Sequence, residues 1–345
     1  MVQDYEDSQG KRSNYLALSG QFLKGKDSPG LQEFICKYSN RLSYSDVICL
    51  LKDMTGVDLV SKQHACNIVA QTATRIVAQE CSSMAGQQLC IPFVDSVDIY
   101  DRNQTELLVF EDAIGVKSQK GQRNQTYQKP GKTVQTDVMV VQNGIKSKEF
   151  SVFAAHKDHR KHLDSQLMYH LSTHNDKGVF PIIVIADGAR SIRKRLTELI
   201  GNSLVFILDW YHLSDKIWQY MSQIAVNKSQ KEEDSKAILA LLWSGRVNEC
   251  IAYLQTKIIG KNQLKKQELI EYLSKHRIEI INYERRKNAG KKIGSGCVEK
   301  ANDLIVAHRQ KKKGMAWSND GSESLAILKT VEINHKWQQF WEQVA

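Results

Sequence analysis

Two hydrophobic runs near the middle of the chain each end in an aspartate. Residues 181–186 and 204–208 are continuously apolar, as expected for strands buried on both faces of a parallel sheet. Asp187 follows the first run and Asp209 the second, and apolar residues recur at helical spacing between them. Ligands of open α/β sheets bind at the carboxyl ends of the strands, so both aspartates lie where chemistry is expected. An aspartate at the end of a single strand can equally be an N-cap or a turn residue.

Three further strands are predicted before this pair. Residues 106–117, 134–142 and 150–155 are mainly apolar, and Asn143-Gly144 indicates a hairpin after the second of them. A polar helix is expected over residues 156–174, where leucines recur every four residues. The order of elements is then three antiparallel strands followed by two parallel strands joined through helices. This order predicts an α/β fold with a mixed five-strand sheet of the ribonuclease H-like kind.

The segment before the sheet, residues 31–85, is predicted to be a small all-α domain. Ser43 and Asp46 have the spacing of a capping box, and Thr55-Gly56-Val57 is a turn before a helix capped by Ser61. Helix, short turn and helix is the arrangement of a helix-turn-helix DNA-binding domain, although any small helical bundle could produce it. The polar face of the second helix supplies the candidate DNA contacts Lys62, Gln63, Asn67 and Gln71.

The part that follows the sheet carries helical patterns and no further strand pattern. Residues 213–226 are expected to form a helix and residues 228–236 a charged break. A helical insertion is predicted over residues 228–289, with helical segments at 238–243, 247–259 and 264–283. The catalytic domain is therefore expected over residues 103–227 and 290–345, and residues 1–30 as a flexible tail or a truncated module.

A loop at residues 290–296 leads into a predicted helix over residues 297–310. One face of this helix is expected to hold Val298, Ala301, Ile305 and His308. Glu299 and Asp303 are four residues apart and share another face. A final helix is predicted over residues 322–341.

Charge and cysteine content narrow the class of protein. Among 345 residues there are 48 Lys and Arg against 38 Asp and Glu, a net charge of +10, which favours a polyanionic partner. Basic residues concentrate at 117–132 and 285–313. The seven cysteines form no Cys-x-x-Cys pair, so neither a disulfide framework nor a structural zinc site is indicated. No apolar run approaches the ~20 residues of a membrane span, and a cytoplasmic location is expected.

Phosphodiester chemistry on this fold needs carboxylates that hold two divalent ions. The first acid should lie on the first strand, the second at the end of the fourth and the third on a late helix. This geometry selects Asp112, Asp187 and Glu299 as catalytic and metal-binding residues, with two Mg²⁺ or Mn²⁺ ions expected. Asp137 is a rival for the first position and Asp303 for the third.

Five motifs carry a resemblance to a known family. They are Asp112-Ala-x-x-Val-Lys, Ala186-Asp-Gly-Ala, Leu208-Asp-Trp-Tyr-His-Leu, Ile293-Gly-Ser-Gly-x-x-Glu299 and His308-Arg-Gln-Lys-x-Lys-Gly-Met-x-Trp-Ser318. Together they resemble the bacterial insertion-sequence DDE transposases of the Mutator-related group, most of all the Kra type. The resemblance implies a metal-dependent DNA transposase with the triad named above. It also implies that Asp209 and His212 support the active site or contact DNA.

Other residues are candidates for holding DNA. The basic segments and the C-terminal motif contribute Lys117, Lys120, Arg123, Arg309, Lys311, Lys312, Lys313 and Trp317. Lys311–Lys313 can equally be a solvated basic tract, and Trp317 a core or capping residue. The expected partner is double-stranded DNA, at the element's terminal inverted repeats and at the target. A homo-oligomer on DNA is expected, at the bacterial nucleoid, without a membrane or a small-molecule substrate. The alternative function is an inactive, DNA-binding remnant of a transposase.

Overall fold

The structure is a computed structural model. It describes residues 4–6, 8–9, 12–14, 27–86, 91, 97–119, 133–143, 150–174, 180–201 and 204–344. The predicted turn at Gly144 and the basic residues Lys120 and Arg123 lie outside the described residues. In the part before residue 27, strands β1 (Asp4–Glu6) and β2 (Arg12–Asn14) pair antiparallel, a pairing that the sequence pattern did not predict.

A mixed five-stranded sheet forms the centre of the fold. Its strands are β3 (Leu107–Lys117), β4 (Thr133–Asn143), β5 (Phe150–His156), β6 (Ile182–Ala186) and β7 (Leu204–Leu208). They lie in the order β5-β4-β3-β6-β7, so the first strand of the sheet is the middle one. β3, β4 and β5 pair antiparallel, and β3, β6 and β7 pair parallel. The predicted strands and their directions are confirmed.

Different helices cover the two faces of the sheet. Alternate residues of each strand point to opposite faces and therefore belong to different hydrophobic clusters. Leu107 and Val109 of β3 pack in one hydrophobic cluster with α4 (Arg160–His174) and α5 (Arg190–Ile200). Leu163, Leu167 and Leu171 of α4 are fully buried there, as their spacing predicts. Leu108 and Phe110 belong to the opposite face, whose cluster extends into the N-terminal and C-terminal helices.

Three helices precede the sheet: α1 (Pro29–Ser39), α2 (Tyr44–Thr55) and α3 (Lys62–Met84). The capping box of Ser43 and Asp46 is present, and Gly56 ends α2 in the left-handed conformation, with φ at 75°. Ser61 caps α3 through a hydrogen bond from the backbone N–H of His64. These helices share one hydrophobic cluster with the sheet, because α3 packs against α4 and against the C-terminal helix α13 (Asn319–Ile333). The helices are confirmed, and their role in DNA binding stays a prediction.

The insertion follows α6 (Trp210–Ile224) and contains four helices in its described residues. They are α7 (Lys228–Trp243), α8 (Val247–Thr256), α9 (Gln263–Lys275) and α10 (Tyr283–Asn288). The predicted charged break at residues 228–236 is wrong: Asn227 caps α7 there by accepting a hydrogen bond from Gln230. Charged residues are good helix formers when they face solvent, so their density was a poor reason for a break. The helix predicted over 264–283 is shorter than expected: α9 ends at Lys275, and α10 begins only at Tyr283.

The C-terminal helices depart from the prediction at two places. α11 (Gly296–Asn302) continues through a π-helical turn (Asp303–Ala307) into α12 (His308–Gln310). The wider π turn rotates the residues after it, so His308 is exposed, whereas Arg309 and Gln310 are buried. The last predicted helix is divided into α13 and α14 (Trp337–Glu342), because His335 lies between them with φ at 58°.

Candidate active site

Asp112 and Asp187 occupy corresponding positions along adjacent parallel strands, Asp112 within β3 and Asp187 directly after β6. Phe110 of β3 is paired with Ile185 of β6, and each aspartate comes two residues later in its strand or at its end. Parallel strands are about 4.8 Å apart, so the two backbones bring these carboxylates to one edge of the sheet. The exit after Asp187 needs Gly188, whose φ is 87°. A Cβ at Gly188 would lie 2.8 Å from a ring carbon of His276.

The rival Asp137 faces the other side of the sheet. Its β4 neighbour Val138 is paired with Asp112 and shares its face, so Asp137 itself points the opposite way. The carboxylate of Asp137 is buried and forms an ion pair with Arg160. Glu111 shares that face and pairs with Arg195; burial raises the pKa of Glu111. Asp137 is therefore part of a structural ion-pair network, and the catalytic role of Asp112 stays a prediction.

Helix α11 brings Glu299 to the face that carries Asp112. Asn302 of α11 donates a hydrogen bond from Nδ2 to Oδ2 of Asp112, at 2.7 Å. Glu299 is three residues earlier on the same helix, is exposed, and has Oε1 3.9 Å from Nδ1 of His212. Asp303 is exposed too and makes no ion pair with the described residues. Asn302 was missed by the sequence analysis, although its place one turn after Glu299 could have suggested it.

Asp209 is buried and connects helix α6 to the residue before helix α11. Its side chain is only 1% exposed and caps α6 by accepting hydrogen bonds from the backbone N–H groups of Tyr211 and His212. Its second oxygen accepts from the backbone N–H of Ser295, at 2.6 Å, and from the Ser295 hydroxyl. Burial alone would raise the pKa of Asp209, but the hydrogen bonds from His212 and Ser295 outweigh it and keep the pKa below its usual value. Ser295, the first residue before α11, is thereby fixed.

His212 lies close to two of the acids, Asp209 and Glu299. Its ring Nδ1 is 3.6 Å from Oδ2 of Asp209. The neighbouring carboxylate of Asp209 is the main cause that raises the pKa of His212 to about 9, and the charges of Asp187 and Glu299 add to it. His212 is therefore protonated at neutral pH. The same ring nitrogen is 3.9 Å from Oε1 of Glu299, so His212 lies between Asp209 and Glu299.

The donor chemistry of the acids suits a hard divalent cation. Three carboxylates without sulfur ligands are what Mg²⁺ or Mn²⁺ prefers. In the part of the chain that the structure describes, however, no three His, Cys, Asp or Glu side chains come close enough to hold a metal ion. Asp112 is bonded to Asn302 and Glu299 lies near His212, so these carboxylates are engaged with different neighbours. The metal assignment stays a prediction.

The helical insertion contributes residues beside Asp187 that the sequence did not single out. His276 is buried at the end of α9. Its Nδ1 is hydrogen-bonded to Oε2 of Glu279, at 2.6 Å. Glu279 also pairs with Arg193 of α5, and its carbonyl accepts a bond from Leu208. The insertion is thus bonded directly to β7, which precedes Asp209, and to helix α5, which follows Asp187.

Several of the candidate DNA contacts are exposed, as expected. Lys62, Gln63, Asn67 and Gln71 lie on the exposed face of α3, with Nε2 of Gln63 donating to Oδ1 of Asn67 at 3.0 Å. Lys117 and the tract Lys311, Lys312 and Lys313 are also exposed. These positions are open to a polyanion, and no contact with DNA is tested by the structure.

Arg309 and Trp317 are buried, unlike the lysines, and their role in DNA binding stays a prediction. Arg309 is 3% exposed and donates from Nε to the carbonyl of Ser39, at 2.7 Å. Trp317 is 7% exposed and donates from Nε1 to the carbonyl of Gln310, at 2.9 Å. The π turn explains the burial of Arg309, because it rotates α12 inward. Trp317 takes the core position that the sequence left open.

Comparisons with known proteins add little to this geometry. No model of a protein family matches the chain, and no curated protein matches it. A solved structure similar to the chain is the Drosophila P element transposase strand transfer complex, with 11% identity and a TM-score of 0.28 over 92% of this chain and 81% of that one. At this TM-score the similarity supports no argument. The resemblance of the motifs to Mutator-related elements therefore stays a prediction. Among the described residues, no helix is long and apolar enough to span a membrane.

Proposed function

We propose that the protein is a metal-dependent DNA transposase, which cleaves phosphodiester bonds at element ends and transfers the freed strand. One observation carries the proposal: Asp112 and Asp187 share an edge of the sheet, and Asn302 ties Asp112 to the helix that bears Glu299. Acids from a first strand, a fourth strand and a late helix are what two-ion phosphodiester chemistry needs. The five sequence motifs support the Mutator-related, Kra-type subclass.

Each residue of the site has a proposed role. Asp112, Asp187 and Glu299 would hold two Mg²⁺ or Mn²⁺ ions, which activate a water or a 3′ hydroxyl and stabilise the leaving oxygen. Asn302 orients Asp112, and Asp209 fixes the start of α11 through Ser295. His212, as a cation, offers a hydrogen-bond donor to a phosphate at the same edge.

The partner that we propose is double-stranded DNA in the bacterial cytoplasm. The net charge of +10 and the exposed lysines at 311–313 supply attraction to phosphates without regard to sequence. The exposed amides of Gln63 and Asn67 suit readout of adenine at the terminal inverted repeats. Strand transfer joins two element ends, so a homo-oligomer on DNA is part of the proposal.

Nicking of a supercoiled plasmid tests the activity without knowledge of the element ends. The wild-type chain should nick the plasmid in Mg²⁺ or Mn²⁺ and not in EDTA. Glu299→Gln should reduce nicking by about 10²-fold or more, because it removes a ligand of the reacting centre. Asp303→Asn is the matched control, one helical turn away on the same exposed face, and should nick normally. A wild-type chain that binds DNA and does not nick it would instead be the inactive remnant.

A further inference from the structure

A second site lies at the other end of the helix that carries Glu299. A cavity of about 500 Å³ opens between α2, α3 and the segment from Gly314 to Ser318. Its walls include Tyr44, Lys62, Gln63, Arg309, Met315 and Trp317. The volume falls within the range of roughly 300–1,000 Å³ that is usual for pockets with organic ligands. Four candidate DNA contacts from the sequence, Lys62, Gln63, Arg309 and Trp317, therefore line one cavity.

Among the described residues, Arg309 is a buried cation that forms no ion pair with an acid, and the exposed Asp46 acts on it only through its charge. Its acceptors there are the Ser39 carbonyl and the sulfur of Met315, at 3.2 Å. The guanidinium lies 5.0 Å from the ring centre of Trp317. Burial lowers the pKa of Arg309, whereas the comparably buried Arg286 is bonded to both oxygens of Glu106. A buried charge without a counter-charge is costly, so the cavity favours an anion beside Arg309.

The remaining walls of the cavity also favour negative charge, and they add flat aromatic surfaces. Lys62 is the first residue of the 23-residue helix α3, whose amino end also favours negative charge. None of the described residues that line the cavity is Asp or Glu. Tyr44 and Trp317 supply aromatic rings, which stack well on the face of a base. An anionic group joined to a flat ring, as in a nucleotide, satisfies both parts of the wall.

We propose that this cavity receives one unpaired nucleotide of a DNA strand, with its phosphate at Arg309 and Lys62 and its base against Trp317 and Tyr44. The inference rests on the proposed function, because it assigns a strand of the same DNA substrate. Arg309 comes ten residues after Glu299 in one helical segment, or about 15 Å at 1.5 Å per residue. That distance is about four base steps at 3.4 Å. The unpaired nucleotide would thus lie roughly four positions from the bond that is cleaved.

Binding of labelled duplexes to the full chain tests the proposal. Fluorescence anisotropy in EDTA would compare a blunt duplex with the same duplex carrying a short 3′ or 5′ overhang. The wild-type chain should prefer one of the overhangs. Arg309→Met should weaken binding of that overhang by about tenfold or more, the value of a charged hydrogen bond, and change blunt binding less than twofold. Arg246→Met, on the exposed surface of the insertion, is the charge-matched control and should change neither.

A second variant keeps the test decisive if Arg309→Met does not fold. Ala70 lines the cavity from α3, so Ala70→Leu fills space without removing a charge and should abolish the same preference. Equal binding of blunt and overhanging duplexes by the wild-type chain would overturn the proposal. So would equal losses on both duplexes in Ala70→Leu and Arg309→Met. Free dTMP that binds as tightly as the overhang would assign the cavity to a free nucleotide instead.

The two proposals fail separately. Asp187→Asn should keep the preference for the overhang, because Asp187 does not line the cavity. If the wild-type chain prefers the overhang and never nicks DNA, the transposase proposal fails and the cavity assignment stands. If it nicks DNA in a metal-dependent way and shows no preference, the cavity assignment fails alone.

Discussion

Asp209 joins three parts of the candidate site through one buried carboxylate. It ends β7, caps α6 and binds Ser295 at the start of the segment that carries Glu299. The resemblance implied a supporting role for Asp209 in an active site, and that role stays a prediction. If the side chain were removed, the two backbone N–H groups of α6 and the Ser295 hydroxyl would lose their hydrogen-bond acceptor.

Asp209→Ala should lower the free energy of unfolding by about 2–4 kcal/mol, through loss of a helix cap and exposure of unpaired buried donors. Urea denaturation followed by circular dichroism measures it. Asp215→Ala, an exposed aspartate on the same helix, should change stability by no more than about 0.5 kcal/mol. Equal effects of the two substitutions would contradict the role of Asp209 as a buried link.

Single residues could be predicted where a pattern fixes them. The positions of Asp112 in β3 and of Asp187 after β6 follow from the strand pattern, while their catalytic role stays a prediction. The alternation of side chains along a strand places Asp112 and Asp137 on opposite faces once the pairing of β3 with β4 is known. Asn302 and Arg309 could not be placed in this way. Their positions depend on the packing of α11 on β3 and on the π turn, which shifts the register by one residue without any mark in the hydrophobic spacing.

At the scale of elements, a buried ion-pair cluster fastens the insertion to the sheet. Glu106, directly before β3, accepts hydrogen bonds from Arg286 at 2.8 and 3.0 Å and from Lys291 at 2.6 Å. All three side chains are at most 1% exposed. Arg286 also donates to the carbonyls of Ile99 and Lys292. The cluster connects the end of the insertion to the residue before β3, close in sequence to the loop that leads to Ser295.

Glu106→Gln should lower the free energy of unfolding by about 3–5 kcal/mol, because it leaves two buried cations without a counter-charge. The matched control is Glu249→Gln, which removes one member of an exposed ion pair and should leave the stability nearly unchanged. Chemical denaturation of both variants gives the comparison. A loss below about 1 kcal/mol for Glu106→Gln would show that the cluster does not anchor the insertion.

Elements as a whole were predictable where local pattern and tertiary packing agree. All five strands of the sheet were found, because their apolar runs are bounded by turn residues and they are buried on both faces. The errors concern helix ends in the insertion and the C-terminus. Residues 228–236 were misjudged because a helix is set by capping and by contacts elsewhere, and a charged composition does not exclude one.

At the scale of the whole molecule, we expect different surfaces to supply the electrostatic attraction to DNA and the discrimination among DNA sequences. Lys311→Ala plus Lys312→Ala removes two exposed cations, so the slope of log affinity against log salt should become less steep by about 1.8, and affinity should fall alike for all sequences. Gln63→Ala plus Asn67→Ala should leave that slope unchanged and reduce discrimination among sequences. Competition binding with selected and random duplexes at several salt concentrations measures both. If the amide variants lose affinity for every duplex equally, α3 is a structural helix and specificity lies elsewhere.

The central claim is that Asp112, Asp187 and Glu299 form one cation site, and a Mn²⁺ titration of the chain without DNA tests it most directly. Electron paramagnetic resonance measures free Mn²⁺ for the wild-type chain, Asp112→Asn, Asp187→Asn, Glu299→Gln and the control Asp303→Asn. Each of the first three substitutions should weaken Mn²⁺ binding by about tenfold or more, as loss of a ligand requires, and the control should bind like the wild type. Equal Mn²⁺ affinity in the wild-type chain and the three variants would contradict the claim.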